Sequence, residues 1–194
     1  ASFESDEKRI ESLLKSYVKD STNVATIFSL ASTYCNLGQY KKAIKYFQKI
    51  EKKLKENSPF ASSEDIFYRA KKAIGYNYWL AGDKKEAEKW FNEQKRLDEE
   101  SLKLGRSYSI DANFDLIGIY AVMGDKEKAY ENLRIVDKIR VCPWWLLNLI
   151  KSDSSLNSLR NEPEFQKIVS DLESKYQAEH ERVRKWLEEQ RKKD

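Results

Sequence analysis

The 194-residue sequence predicts an all-α fold built of paired helices, and three observations carry that expectation. Only 6 glycines and 3 prolines interrupt a chain that is 35% charged and 40% hydrophobic, the composition of a soluble, helix-rich domain. A glycine, an alanine five residues later and a large apolar residue four after that recur as Gly38/Ala43/Phe47, Gly82/Ala87/Phe91 and Gly124/Ala129/Leu133. Both ends of the chain carry apolar residues at helical spacing without that pattern.

The leading helix is expected over 1–21. Ile10, Leu13, Leu14, Tyr17 and Val18 form one apolar stripe, and Asp6 and Glu7 suit the positive end of the helix dipole. Three hairpins follow, over 22–61, 62–106 and 107–140. Tyr34, Tyr78 and Tyr120 stand four residues before the glycines, Leu30, Ile74 and Leu116 eight before, and Ala31, Gly75 and Ile117 fill the next column. The tyrosine and the aliphatic residue share one helical face, and the glycine takes the left-handed conformation that ends the helix. In the second helix the alanine lets two backbones approach while Phe or Leu fills the space beside it. The second helices are long, Lys41 to Glu56 and Lys84 to Leu104, ended by Asn57-Ser58-Pro59 and Gly105.

The segment 141–194 closes the chain. Cys142-Pro143-Trp144-Trp145-Leu146-Leu147-Asn148-Leu149-Ile150 predicts a short, largely buried helix with Pro143 in its tolerant first turn. From Ser155 to Ile168 the pattern predicts a short helix, a turn and a new helix capped by Asn161 with Pro163 just inside. Phe165, Ile168, Val169, Leu172, Tyr176, Val183 and Leu187 continue that helix to about Gln190. Its mostly charged stretch Glu179–Trp186 is expected to project beyond the cap or cross a neighbouring chain. It holds fewer than the roughly three to four clean heptads of a coiled coil, and a homodimer through this helix stands as an alternative.

The order of small and aromatic columns resembles the tetratricopeptide repeat (TPR) across about residues 22–140. The resemblance implies a TPR-like right-handed α-α superhelix with extended hairpins, because the glycines recur 44 and 42 residues apart against a usual ~34. It further implies a single helical-repeat domain over 1–194 with a C-terminal capping helix. Leu159-Arg160, Glu162, Pro163 and Phe165 resemble the end-of-group segment of many bacterial arrays, which implies a cap and a place in a larger bacterial regulator. First helices in this family line a concave groove. Its implied contacts here are Phe28, Ser32 and Asn36, then Arg69, Lys72, Tyr76 and Trp79, then Asp111, Phe114 and Asp115. The implied partner is a protein or peptide, another domain of the same chain included. The family's lysine-asparagine clamp for a peptide carboxylate has no counterpart, since Lys72 lacks asparagines at the matching positions.

Chemistry of other kinds finds little support. His180 is the single histidine, and Cys35 and Cys142 are far apart with no CxxC spacing, which excludes a zinc site and a paired nucleophile. No glycine-rich phosphate loop and no isolated carboxylate pair is present, so no enzyme, cofactor or metal is expected. A net charge of +4 argues against nucleic acid. The alternative rests on Lys41, Lys42, Lys45, Lys49, Lys52, Lys53 and Lys55, opposed mainly by Glu51 and Glu56. It requires aromatic rings on the same exposed face, whereas Tyr46, Phe47 and Ile50 read as core. No apolar run approaches the roughly 20 residues of a membrane span, and Ala1–Asp6 does not suit a signal peptide. A cytoplasmic site is expected, or a periplasmic one if a signal peptide precedes Ala1. Position 1 is Ala and the single methionine is Met123, which points to a trimmed terminus or a piece of a longer chain.

Overall fold

The computed structural model describes residues 3–56, 64–105 and 109–192, and the side chains of 6–52, 71–105 and 110–192. Among the described residues every regular element is a helix, and the helices pack in adjacent pairs as a TPR-like fold requires. Contacts group the chain into two units, Ala1–Leu97 and Asp98–Asp194, with the boundary inside α5.

The first unit holds α1 (Phe3–Lys19), α2 (Val24–Asn36), α3 (Tyr40–Glu56), α4 (Glu64–Leu80) and most of α5 (Lys84–Lys103). α2 opens at Asn23, whose Oδ1 accepts from the Thr26 amide at 3.0 Å, satisfying an orphan donor of the first turn. It closes at Gly38, where φ is +69°. There the Gly38 amide donates to Cys35 O and the Gln39 amide to Tyr34 O, both at 2.8 Å. This reciprocal pair returns the last carbonyls of the helix to hydrogen-bonding. The same two bonds end α4, from Gly82 to Trp79 O and from Asp83 to Tyr78 O. Each tyrosine of the repeated column thus packs its ring inward and lends its carbonyl to the turn.

α3 folds back on α2, with Phe28 and Phe47 ring centroids 5.9 Å apart and Tyr34 stacked on Tyr46 at 5.6 Å. Ala43 and Ile50 are fully buried between them. In the α4–α5 pair a glycine stands at the contact. A methyl group on Gly75 would stand 2.7 Å from the Phe91 ring and 3.2 Å from the Ala87 carbonyl oxygen. α1 packs on α2, and Tyr17 reaches Tyr46 edge-on at 5.8 Å.

The second unit holds α6 (Ser109–Met123), α7 (Lys126–Asp137), α8 (Trp144–Ser152), a 3-10 turn (Ser154–Leu156) and α9 (Pro163–Arg191). α6 ends as α2 and α4 do, through Gly124 and Asp125. Residues 112–119 of α6 are all buried, so this helix has no solvent face over that stretch. Its core joins Ile117, Leu133, Leu146, Ile150, Leu156, Leu159, Phe165 and Leu172. Polar pairs tie α7 to α9: Tyr130 donates to Glu162 at 2.7 Å beside Lys126, Arg134 meets Glu164 at 2.7 Å, and Lys175 meets Asp137 at 2.9 Å. Arg160 closes the end of α8, donating to Asp153 O at 2.6 Å, to Lys151 O and to Asn157 Oδ1 at 2.8 Å.

The closing segment departs from expectation in three places. Glu162, not Asn161, precedes Pro163 as the N-cap of α9, and it makes no side-chain cap because its carboxylate is engaged by Tyr130 and Lys126. The short helix before it is a single 3-10 turn. α8 is not largely buried. Leu146, Leu147 and Ile150 face the core, but Trp144 is 61% exposed and Trp145 42%, since a helix meeting a core along one stripe leaves its other face outside. Gly105, at φ +61°, follows the end of α5 as expected, while Asn57-Ser58-Pro59 lies outside the described residues.

Gly75→Ala is expected to lower stability by about 1–3 kcal/mol, because the added methyl must displace a fully buried ring in a packed pair. Urea unfolding of the full chain measures it. An unchanged midpoint would show that Phe91 moves aside without cost.

Candidate functional site

The groove residues expected from the sequence are distributed over both units. In the first, α2 touches α4 as well as α3, and Cys35 lies beside the Asn77 amide, so the first helices of two hairpins share one side. Along α2, Phe28, Ser32 and Asn36 recur every four residues; Phe28 and Ser32 are half-buried and Asn36 is exposed. Phe28 is turned into the hairpin against Phe47. Along α4, Lys72 is buried, and Tyr76 and Trp79 are half-buried. The side chain of Arg69 lies outside the described residues.

Trp79 is held on two sides. Its ring lies 6.3 Å from Phe91, and Lys84 sits 3.4 Å over the indole while donating to Trp79 O at 3.0 Å. That lysine covers an aromatic face and binds a terminal carbonyl of α4 at once. Burial pushes its ammonium below the usual lysine range. In the second unit Asp111 is half-buried in the first turn of α6, Phe114 belongs to the core, and Asp115 is buried. Of those three, Asp111 alone reaches solvent appreciably.

The lysine-rich face is placed on α3. Lys41, Lys42, Lys45, Lys49 and Lys52 are exposed, while the side chains of Lys53 and Lys55 lie outside the described residues. Lys49 stands 4.6 Å over Tyr17 and 5.4 Å over Tyr46 and donates to the Tyr17 hydroxyl; Lys42 stands 5.3 Å over Tyr34. Tyr46, expected as core, is half-buried among these rings, and burial followed by the neighbouring Tyr34 raises its phenol above the usual range. The aromatic rings therefore do lie beside lysines, but they are spent on joining α1, α2 and α3. No spacing signal announces Tyr17 as the partner of Lys49, because the two lie on separate helices. Nearby, a cavity of about 430 Å³ opens between Gly38–Lys42 and the end of α4 at Leu80 and Ala81.

The second unit adds apolar surface that periodicity alone did not reveal. Trp144, Trp145, Val183, Trp186 and Leu187 are all exposed. The last three continue a helical stripe whose beginning is core, and the spacing is the same on either side of the point where cover ends. Among the described residues no group of three or more His, Cys, Asp or Glu is placed to hold a metal, and no helix is long and apolar enough to cross a membrane.

A family model for the tetratricopeptide repeat matches residues 24–52, the span of α2 and most of α3. Comparison with curated proteins finds no match. The matched segment is the hairpin that carries Ser32 and Asn36 on its first helix and the exposed lysines on its second.

Burial lifts the Cys35 thiol to about 11 from an ordinary 9.0, with the Asn77 amide opposing weakly, and lifts Cys142 as well. At pH 8 the Cys35 thiolate is therefore roughly 100-fold scarcer than for an ordinary thiol. Iodoacetamide labelling of the native chain, followed by mass spectrometry of the Cys35 peptide, should be slower than in urea by at least that factor and should accelerate up to about pH 11. Equal rates in the two states would contradict the burial of this thiol.

Proposed function

We propose that the chain is a non-catalytic TPR scaffold that binds a protein or an extended peptide along the side of the first unit formed by α2 and α4. The observation that carries this reading is the contact between α2, inside the matched repeat, and α4; we assign Ser32, Asn36, Tyr76 and Trp79 to the side these helices share. The roles follow from the side chains. The exposed Asn36 amide offers both a donor and an acceptor to a peptide backbone, and Tyr76 and Trp79 supply rigid apolar anchors. Lys72 and Phe28, packed inside, hold the helices that present them, and Arg69 is a further contact of that side; in the second unit, taken by itself, Asp111 is a contact presented by α6 and Phe114 and Asp115 support that helix. Because each hairpin is packed before a ligand arrives, binding orders little of the scaffold and its entropic cost stays low.

The proposal extends to the whole chain as one helical-repeat domain, 1–194, within a larger bacterial regulator. Leu159–Phe165 acts in it as an end-of-group cap. Fully buried Leu159, the carbonyl contacts of Arg160 and buried Phe165 support that role, since a cap must close the core and satisfy the last carbonyls. The exposed lysines of α3 favour a second reading, nucleic-acid binding. Tyr17, Tyr34 and Tyr46 are engaged with one another, which leaves that face short of stacking platforms and favours the protein partner.

Selection of a random peptide library on the immobilised full chain, followed by fluorescence anisotropy, tests the reading. Selected peptides should lose at least about 10-fold in affinity on Asn36→Arg combined with Tyr76→Ala, with melting unchanged. Affinity indifferent to these changes would remove the α2–α4 side as the site. Tight binding of mixed RNA that weakens steeply with salt would favour the second reading instead.

A further inference from the structure

One apolar face belongs neither to a hairpin core nor to the α2–α4 side. α9 has 29 residues and is about 43 Å long. Its first half is anchored by buried Phe165, Ile168 and Leu172, yet every residue from Arg182 to Glu189 is exposed. Within that exposed stretch Val183 and Leu187 continue the face of Tyr176 and His180 at i, i+4, i+7 and i+11, and Trp186 lies beside them. Trp186 is 54% exposed and Leu187 46%. The Trp144 ring lies 5.5 Å from Tyr176, and Tyr176 lies 6.0 Å from His180. The surface is therefore continuous from the start of α8 along the outer half of α9.

Size and charge identify what covers it. Trp144 and Trp186 with Val183 and Leu187 present on the order of 400 Å² of apolar area. An interface about 60% apolar then spans roughly 700 Å² per partner, close to the standard size for a specific complex, and a patch of this size on a monomer is often functional. The charges on the outer half of α9 balance, with Arg140 beside Glu179 and Lys192 at its end adding a small positive excess. From Gln177 to Arg191, Arg182, Arg184, Lys185 and Arg191 balance Glu179, Glu181, Glu188 and Glu189. Several of them are already paired along the helix, Arg182 with Glu179 and Arg184 with Glu181 and Glu188. A face with so little net charge has no strong preference for an acidic or basic partner, and it meets an identical face without strong repulsion.

We propose that this face is the interface between two copies of the chain, joined about a two-fold axis with the outer halves of α9 antiparallel. In that arrangement Trp186 and Leu187 of one copy lie on the Trp144–Tyr176 cluster of the other, so each end of the stripe is covered. The inference is independent of the peptide-binding reading and concerns a different surface.

Sedimentation velocity of the full chain from low to high micromolar concentration tests it. The expected result is a rise to twice the chain mass, with a blue shift of tryptophan emission over the same range. Val183→Glu and Trp186→Glu, both at solvent-exposed positions, should each weaken association at least about 10-fold while leaving the far-ultraviolet dichroism unchanged. Lys45→Glu, on the first unit, should leave it intact. A monomeric mass at every concentration overturns the proposal, as does a dimer indifferent to both glutamate variants. A monomer that co-sediments with phosphatidylcholine vesicles, and loses this on Trp186→Glu, overturns it in favour of a lipid surface.

Discussion

The hairpins depend on how closely their paired helices approach. Ala43, Ala87 and Ala129 are each wholly excluded from solvent, and the large residue four positions on, Phe47, Phe91 or Leu133, is buried beside it. A side chain larger than a methyl at the alanine would hold the helices apart and open a void around the aromatic or leucine, whose burial contributes about 1.5–3 kcal/mol. Gly75 carries the requirement further, since the Phe91 ring occupies the space its own Cβ would take. The glycine-ended turns serve the same approach. By pairing the last carbonyls with the Gly38 and Gln39 amides, and their counterparts, they reverse the chain in a few residues and bring the second helix straight back.

Around those pairs the two units close in different ways. In the first, α1 is attached by rings and lysines: Tyr17, Tyr34 and Tyr46 meet in succession, with Lys49 over two of them. In the second, apolar residues of α9 supply the burial, and a row of pairs with α7 fixes its position. Exposed ion pairs such as Arg134–Glu164 contribute little energy each, about 0–1 kcal/mol. Their effect is on register, because Tyr130, Lys126, Arg134 and Asp137 all address α9 from one helix.

On the proposed reading, function lies in faces rather than in reactive groups. Both thiols are held protonated by burial, and the aromatic residues most suited to contact a ligand are distributed between hairpin packing and surface. Trp79 illustrates the sharing, packed on Phe91 below and covered by Lys84 above, with part of its ring still outside. The fully buried middle of α6 removes Phe114 and Asp115 from direct contact, while Asp111 in its first turn is half-buried.

Much of the fold was legible in the chain because its signals are local. Glycine at a helix end, a tyrosine four residues earlier, an alanine five later and a proline opening a helix act within a few turns, so their spacing alone specifies hairpins and their approximate limits. The same columns located the matched repeat. What covers a given face is decided by residues distant in sequence, and only the tertiary structure settled it. Trp144 and Trp145 were expected inside and lie outside, Glu162 stands at the N-cap in place of Asn161 with its carboxylate on Tyr130, and Lys49 found Tyr17 across two helices. The stripe of α9 shows the reason most directly: apolar spacing is identical for a core seam and for a free surface, and the two differ only in whether another element arrives to exclude water.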